Sequence, residues 1–167
     1  MRPTNYLYLD ASALAKRYTL EMGTSVVNDL FNRAASARFI VLSVGIAEVA
    51  SILVRKRNAN VIPADLYSLA IVNFSAEILS QPELRIIPAT AAMATDSIVL
   101  IGRHSINATD AILLRSALDL ADSLRSRADD LILVASDLRL LRAAEAEGLA
   151  IFNPEAQTVE DLDRLLS

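Results

Sequence analysis

At 167 residues and 18.1 kDa the chain has the size of one domain, long enough to bury roughly two-thirds of the surface its unfolded form exposes. With 53% hydrophobic residues, 4 Gly and 5 Pro, disorder is excluded, and 5% aromatics with no Trp leave Ala, Leu, Ile and Val to build the core. The net charge of -4, from 16 basic and 20 acidic residues, weighs against blanket neutralisation of nucleic-acid phosphates; zero Cys removes thiolate chemistry, and the single His, His104, leaves little room for zinc sites or His-based triads.

In chain order, "YLYL" (6 to 9), "FIVL" (39 to 42), "LRII" (84 to 87), "LILVA" (131 to 135) and "LAIF" (149 to 152) read as strands, short and apolar enough to lie inside a sheet. Helical periodicity fills the intervals at 12 to 18, 22 to 36, 44 to 58, 63 to 80, 90 to 103, 109 to 126, 137 to 147 and 158 to 166. Pro63 suits a first turn, Gly148 a C-cap, and Ser43 the cap of the helix carrying Glu48. "NANVI" (58 to 62) reads as a loop between two helices that project together, and "RSRADD" (125 to 130) as the polar return before the fourth strand.

This alternation predicts an α/β fold: a three-layer sandwich with a central, mostly parallel five-stranded sheet and helices on both faces. No repeat or Ser/Gly-rich linker divides the chain, so residues 1 to 167 are expected to form a single domain. The greasiest stretch, "FIVLSVGIAEVASILV" (39 to 54), is shorter than the roughly 20 residues a bilayer requires and contains Glu48. It reads as core, and no membrane association is expected. The N-terminus lacks a basic, apolar leader, and with the absence of Cys this points to the cytoplasm.

Open sheets of this kind bind ligands beyond the C-terminal ends of their strands. Asp10 closes the first strand, Glu48 lies in the helix after the second, Asp110 opens a long apolar helix, and Asp137 follows the fourth strand. Each has an ordinary structural reading. An Asp between strand and helix is most often an N-cap, and Glu48 could point to an edge. Four such acids at one sheet mouth, without Cys and with one His, suit a hard cation instead: Mg2+ or Mn2+, one ion or two, able to activate a water in phosphodiester hydrolysis.

Four segments carry a family resemblance: "YLDASALAKRY", "IAEVASIL", "NATDAILLRSALDLA" and "LVASDLRLLRAAEAEGLAIFNP". Together they resemble the successive motifs of the PIN-domain family, in particular its VapC-like members, from residue 6 to about residue 154. The resemblance implies a PIN-like α/β/α domain, often a homodimer, acting as a metal-dependent endoribonuclease with a small VapB-like antitoxin as partner. It assigns the family's acids to Asp10, Glu48, Asp110 and Asp137, with Ser12 organising the first turn and Ser136 at a usual hydroxyl position.

Around these acids, Asn107 and Thr109 are expected as helix caps, and Asn107 could also orient a metal-bound water. Lys16, Arg17, Arg55, Arg139 and Arg142 are candidate contacts for RNA phosphates, although most such charges are simply solvated. Asp96 is the best candidate for a fifth acid but is expected on the surface, His104 in a loop or at a helix end, and Tyr6, Tyr8 and Tyr18 in core or interface. The alternatives are a catalytically inactive PIN-like interaction or RNA-binding module, and a phospho-acceptor receiver. No Lys follows Lys56, which counts heavily against the receiver.

Overall fold

The computed structural model describes residues 4–166. They form five strands, β1 (Asn5–Leu9), β2 (Phe39–Leu42), β3 (Arg85–Ile87), β4 (Asp130–Val134) and β5 (Ala150–Phe152), all parallel and ordered β3-β2-β1-β4-β5. The mostly parallel five-stranded sheet expected from the sequence is thus present, without an antiparallel member among the described strands. Between them run α1 (Ala11–Leu14), α2 (Thr24–Arg33), α3 (Ser43–Asn58), α4 (Ala64–Phe74), α5 (Ala91–Asp96), α6 (Ile98–His104), α7 (Ala108–Arg125), α8 (Leu138–Ala146) and α9 (Val159–Leu166).

Alternation along the buried strands sorts the core into two halves. Leu7, Leu9, Phe39, Val41, Ile132 and Val134 pack with residues from α1 to α4 and Leu162 of α9. Tyr8, Ile40, Leu42, Leu131 and Leu133 face the other way, onto α6, α7 and α8. Tyr8 is fully buried, and its hydroxyl finds Ser116 on α7 at 2.8 Å, which satisfies a polar group in an apolar layer. The C-terminal helix docks on the fold: Leu162 is buried, and Asn5 donates to the Leu165 carbonyl at 2.8 Å.

Several local expectations differ in detail. The stretch expected as one helix over 90 to 103 divides at Ser97, a buried residue whose hydroxyl donates to the Ala94 carbonyl and competes with regular helix geometry. The 63 to 80 segment leaves α-geometry after Phe74 and finishes as a π-helical turn, Ser75–Leu79. Ser43 does not cap α3. It is the first helical residue, and its hydroxyl instead accepts the Ala89 N–H at 3.0 Å, tying α3 to the chain leaving β3. Gly148 lies one residue beyond the α8 cap with φ +85°, the left-handed conformation that ends helices at glycine.

The strand order positions the site. From β1 the chain builds outward through β2 and β3, then returns to the other side of β1 with β4 and β5. The reversal falls between β1 and β4, where such sheets leave a crevice at their C-terminal edge. The Asp10 N–H donates to the Val134 carbonyl at 2.9 Å, so the two strands remain joined up to that edge. Among the described residues no helix is long and apolar enough to cross a membrane.

Candidate active site

A cleft of about 290 Å3 opens at this crevice, lined by Asp10, Ala11, Ser12, Glu48, Ser51, Ile52, Arg55, Asp110 and Asp137. The four acids singled out in the sequence therefore share one wall-to-wall space, each delivered by a different element.

Asp10 is the N-cap of α1 and is only 5% exposed. Its Oδ2 accepts the Ser12 N–H at 2.9 Å and the Ser12 hydroxyl, and the same hydroxyl accepts the Ser136 N–H at 2.9 Å. Ser12 thereby links the loops after β1 and β4. Burial raises the Asp10 pKa; the Ser12 bonds oppose that rise, and the Asp137 charge adds to it.

Glu48 extends from α3 into the cleft, together with Ser51, Ile52 and Arg55 at helical spacing from it. Burial raises its pKa and Asp10 reinforces the shift, while the Thr109 hydroxyl and the Arg55 charge pull it down. Asp110 lies in the first turn of α7, where Asn107 is the N-cap. Asn107 Oδ1 accepts the Asp110 N–H at 2.9 Å, and its amide donates to Asp110 Oδ2 at 2.7 Å. The amide thus fixes a carboxylate. Burial, and then the charges of Asp10, Asp137 and Glu48, push the Asp110 pKa up to about 7, against a smaller opposing pull from Arg139. Asp137 caps α8, accepting the N–H groups of Arg139 at 2.7 Å and Leu140 at 3.2 Å. Capping and cleft lining coexist in both Asp10 and Asp137.

Among the described residues, no three His, Cys, Asp or Glu side chains already converge as a ready ligand group. The carboxylates face one cleft without closing on a point. Hard oxygen donors lining one cleft are of the chemistry that suits a divalent cation.

The candidate phosphate contacts divide. Arg55 lines the cleft, with a guanidinium N–H donated to Ser51 at 3.1 Å. Arg139 and Arg142 are exposed on α8. Lys16 is not presented to a substrate: it is 3% exposed, held by Glu155 at 2.5 Å and Glu21 at 3.6 Å, because an ammonium this deep requires carboxylate partners. Arg17 lies away from the cleft, forked onto Glu77 at 3.0 and 2.8 Å and bonded to Asn28 at 2.9 Å. Ser136 contributes its N–H, while its own hydroxyl is buried without a hydrogen-bond partner among the described residues. Asp96 is exposed, and His104 ends α6 against Glu147 at 2.6 Å. Ser51 and Ile52 were not singled out in the sequence, although spacings of three and four from Glu48 place them on its helix face.

The fold and site define an α/β architecture with an all-parallel five-stranded sheet and an acidic cleft at its topological switch. No protein-family model matches the sequence, and no curated protein matches it. Among solved structures, PAE2754 from Pyrobaculum aerophilum superposes with a TM-score of 0.62 at 19% identity, over 96% of this chain and 89% of that one. FitAB bound to an IR36 DNA fragment matches with a TM-score of 0.63 at 16% identity, over 91% and 97%. FitAcB from Neisseria gonorrhoeae matches with a TM-score of 0.59 at 17% identity, over 90% and 99%. At these identities the likeness is one of fold.

Proposed function

We propose that the chain is a metal-dependent endoribonuclease, the PIN-like toxin of a toxin–antitoxin pair, cutting RNA phosphodiester bonds at the four-carboxylate cleft. The observation that carries this reading is the cleft itself, where Asp10, Glu48, Asp110 and Asp137 arrive from four different elements to line one space, and burial with the other three acids raises the Asp110 pKa. Clustered acids cost folding free energy and have little structural reason to be gathered, whereas a divalent cation makes their repulsion useful. The similarity of fold to FitAB and FitAcB supports the toxin part of the reading and an antitoxin partner.

When bound, one or two Mg2+ or Mn2+ ions would activate water and neutralise charge developing at the leaving oxygen. Asp10, Asp110 and Asp137 would hold the cation, with Glu48 contributing directly or through water. Ser12 keeps Asp10 turned into the cleft, and Asn107 does the same for Asp110. Arg55, at the cleft wall, is positioned to meet a substrate phosphate. Dimerisation and a cytoplasmic setting belong to the same proposal.

The test is cleavage of single-stranded RNA by the purified chain with Mg2+ or Mn2+, with chelator, and as Asp10→Asn. Cleavage that requires the metal and disappears in Asp10→Asn supports the reading. Cleavage unchanged by chelator or by the substitution overturns it.

A further inference from the structure

Two hollows flank the acidic cleft, and their charges differ. One, of about 310 Å3, is lined by Ser12, Ala15, Lys16, Glu21, Ile52, Lys56, Ser136, Asp137 and Glu155. Its two lysines are consumed internally: Lys16 by Glu155 and Glu21, and Lys56 by Glu21 at 3.1 Å. Two cations against three carboxylates, Glu21, Asp137 and Glu155, leave no positive field for a phosphate.

The other hollow, of about 330 Å3, is lined by His104, Arg139, Arg142 and Ala143. Among the described residues its lining enters one ion pair, His104 with Glu147 at 2.6 Å, and that carboxylate is shared with Arg103 at 2.5 Å. Among the described residues, neither Arg139 nor Arg142 has a carboxylate within ion-pair distance. Arg142 Nε donates at 3.0 Å to the Leu138 carbonyl of its own helix, which orients the guanidinium without neutralising it. Spacing of three on α8 puts Arg139 and Arg142 on one face, about 5–6 Å apart at Cβ. Arg139 also bridges the two regions, because its charge acts on Asp110 in the cleft.

We infer that the RNA strand leaves the acidic cleft on one side only, over Arg139 and Arg142 of α8 toward His104 of α6, whose hollow is a phosphate subsite. This rests on the ribonuclease reading and adds a direction to it. The net acidic composition is reconciled with an anionic substrate by leaving a few cations without carboxylate partners near the site: Arg55 at the cleft wall, and Arg139 and Arg142 on the α8 flank beyond it. The Lys16 and Lys56 side is excluded from the track because its charge is already cancelled.

Fluorescence anisotropy of a short labelled oligouridine across a salt series tests this, in chelator so that no strand is cut. The double variant Arg139→Gln/Arg142→Gln should lower the slope of log affinity against log salt by about 1.4, at ~0.7 per lost phosphate contact. Lys56→Gln should keep the wild-type slope. Matched thermal midpoints show that all three proteins are folded, as expected for exposed arginines. A double variant with the wild-type slope, or Lys56→Gln with an equal loss, overturns the track while leaving the ribonuclease reading intact. A wild-type chain that binds no RNA in chelator also overturns the track, whereas the ribonuclease reading stands or falls by the metal-dependent cleavage assay.

Discussion

The Ser136 N–H donates to the Ser12 hydroxyl at 2.9 Å across 124 positions of sequence, and that hydroxyl in turn donates to Asp10. One side chain therefore closes the mouth between β1 and β4 and aims the most buried acid of the cleft. Ser12→Ala removes both links and leaves the Ser136 N–H without its acceptor, at an expected cost of about 1–3 kcal/mol. Urea unfolding should show that loss. RNA cleavage should fall further than the unfolded fraction accounts for, because Asp10 is then free to turn.

Asp110 makes the metal-free protein pH-sensitive. Its folded pKa of about 7 lies above the ordinary 3.8, so the folded chain holds the proton more tightly than the unfolded chain. The stability this contributes is complete below the unfolded value and is lost as pH rises through about 7. The raised pKa values of Asp10 and Glu48 act in the same direction. Thermal midpoints of metal-free protein should therefore fall between about pH 4 and about pH 7, and Asp110→Asn should flatten that decline.

Asp137 separates capping from chemistry. Asn can accept the Arg139 and Leu140 N–H groups as Asp does, while relieving one repulsive charge. Asp137→Asn should leave the metal-free melting temperature unchanged or raised while activity collapses. Asp137→Ala should lose the cap as well, about 1 kcal/mol, read from the same melting curves.

Lys16 gives the opposite pattern. Removing the buried ammonium strands Glu155, while Glu21 keeps Lys56 at 3.1 Å, and the cost of breaking a fully buried pair is about 3–5 kcal/mol. These glutamates are 35% and 29% exposed, so water recovers part of that cost. Lys16→Met should lose about 2 kcal/mol in urea unfolding, and its RNA affinity should keep the wild-type dependence on salt.

What the sequence reveals and what it conceals divide along physical lines. Strand positions were legible because buried parallel strands are short apolar runs, and the helix carrying Asp110 was legible from its Asn107 cap and periodicity. The shared cleft of Asp10, Glu48, Asp110 and Asp137 follows from a general property of parallel sheets, whose strand ends and following helix starts lie on one edge. Lys16 was not legible, because its partner Glu155 lies 139 positions away and only tertiary packing brings them together. The cross-link from Ser43 to Ala89, and the second bond from Asn107 to Asp110, depend likewise on register and rotamer. Local pattern carries neither.

The central claim is that the four carboxylates jointly hold a divalent cation. Calorimetric titration of Mn2+ into the metal-free chain near neutral pH tests it most directly. The account predicts saturable binding with proton release, since a cation must displace the proton that Asp110 retains at about 7, and at least tenfold weaker binding in Asp10→Asn. No saturable binding, or equal binding in Asp10→Asn, would contradict it.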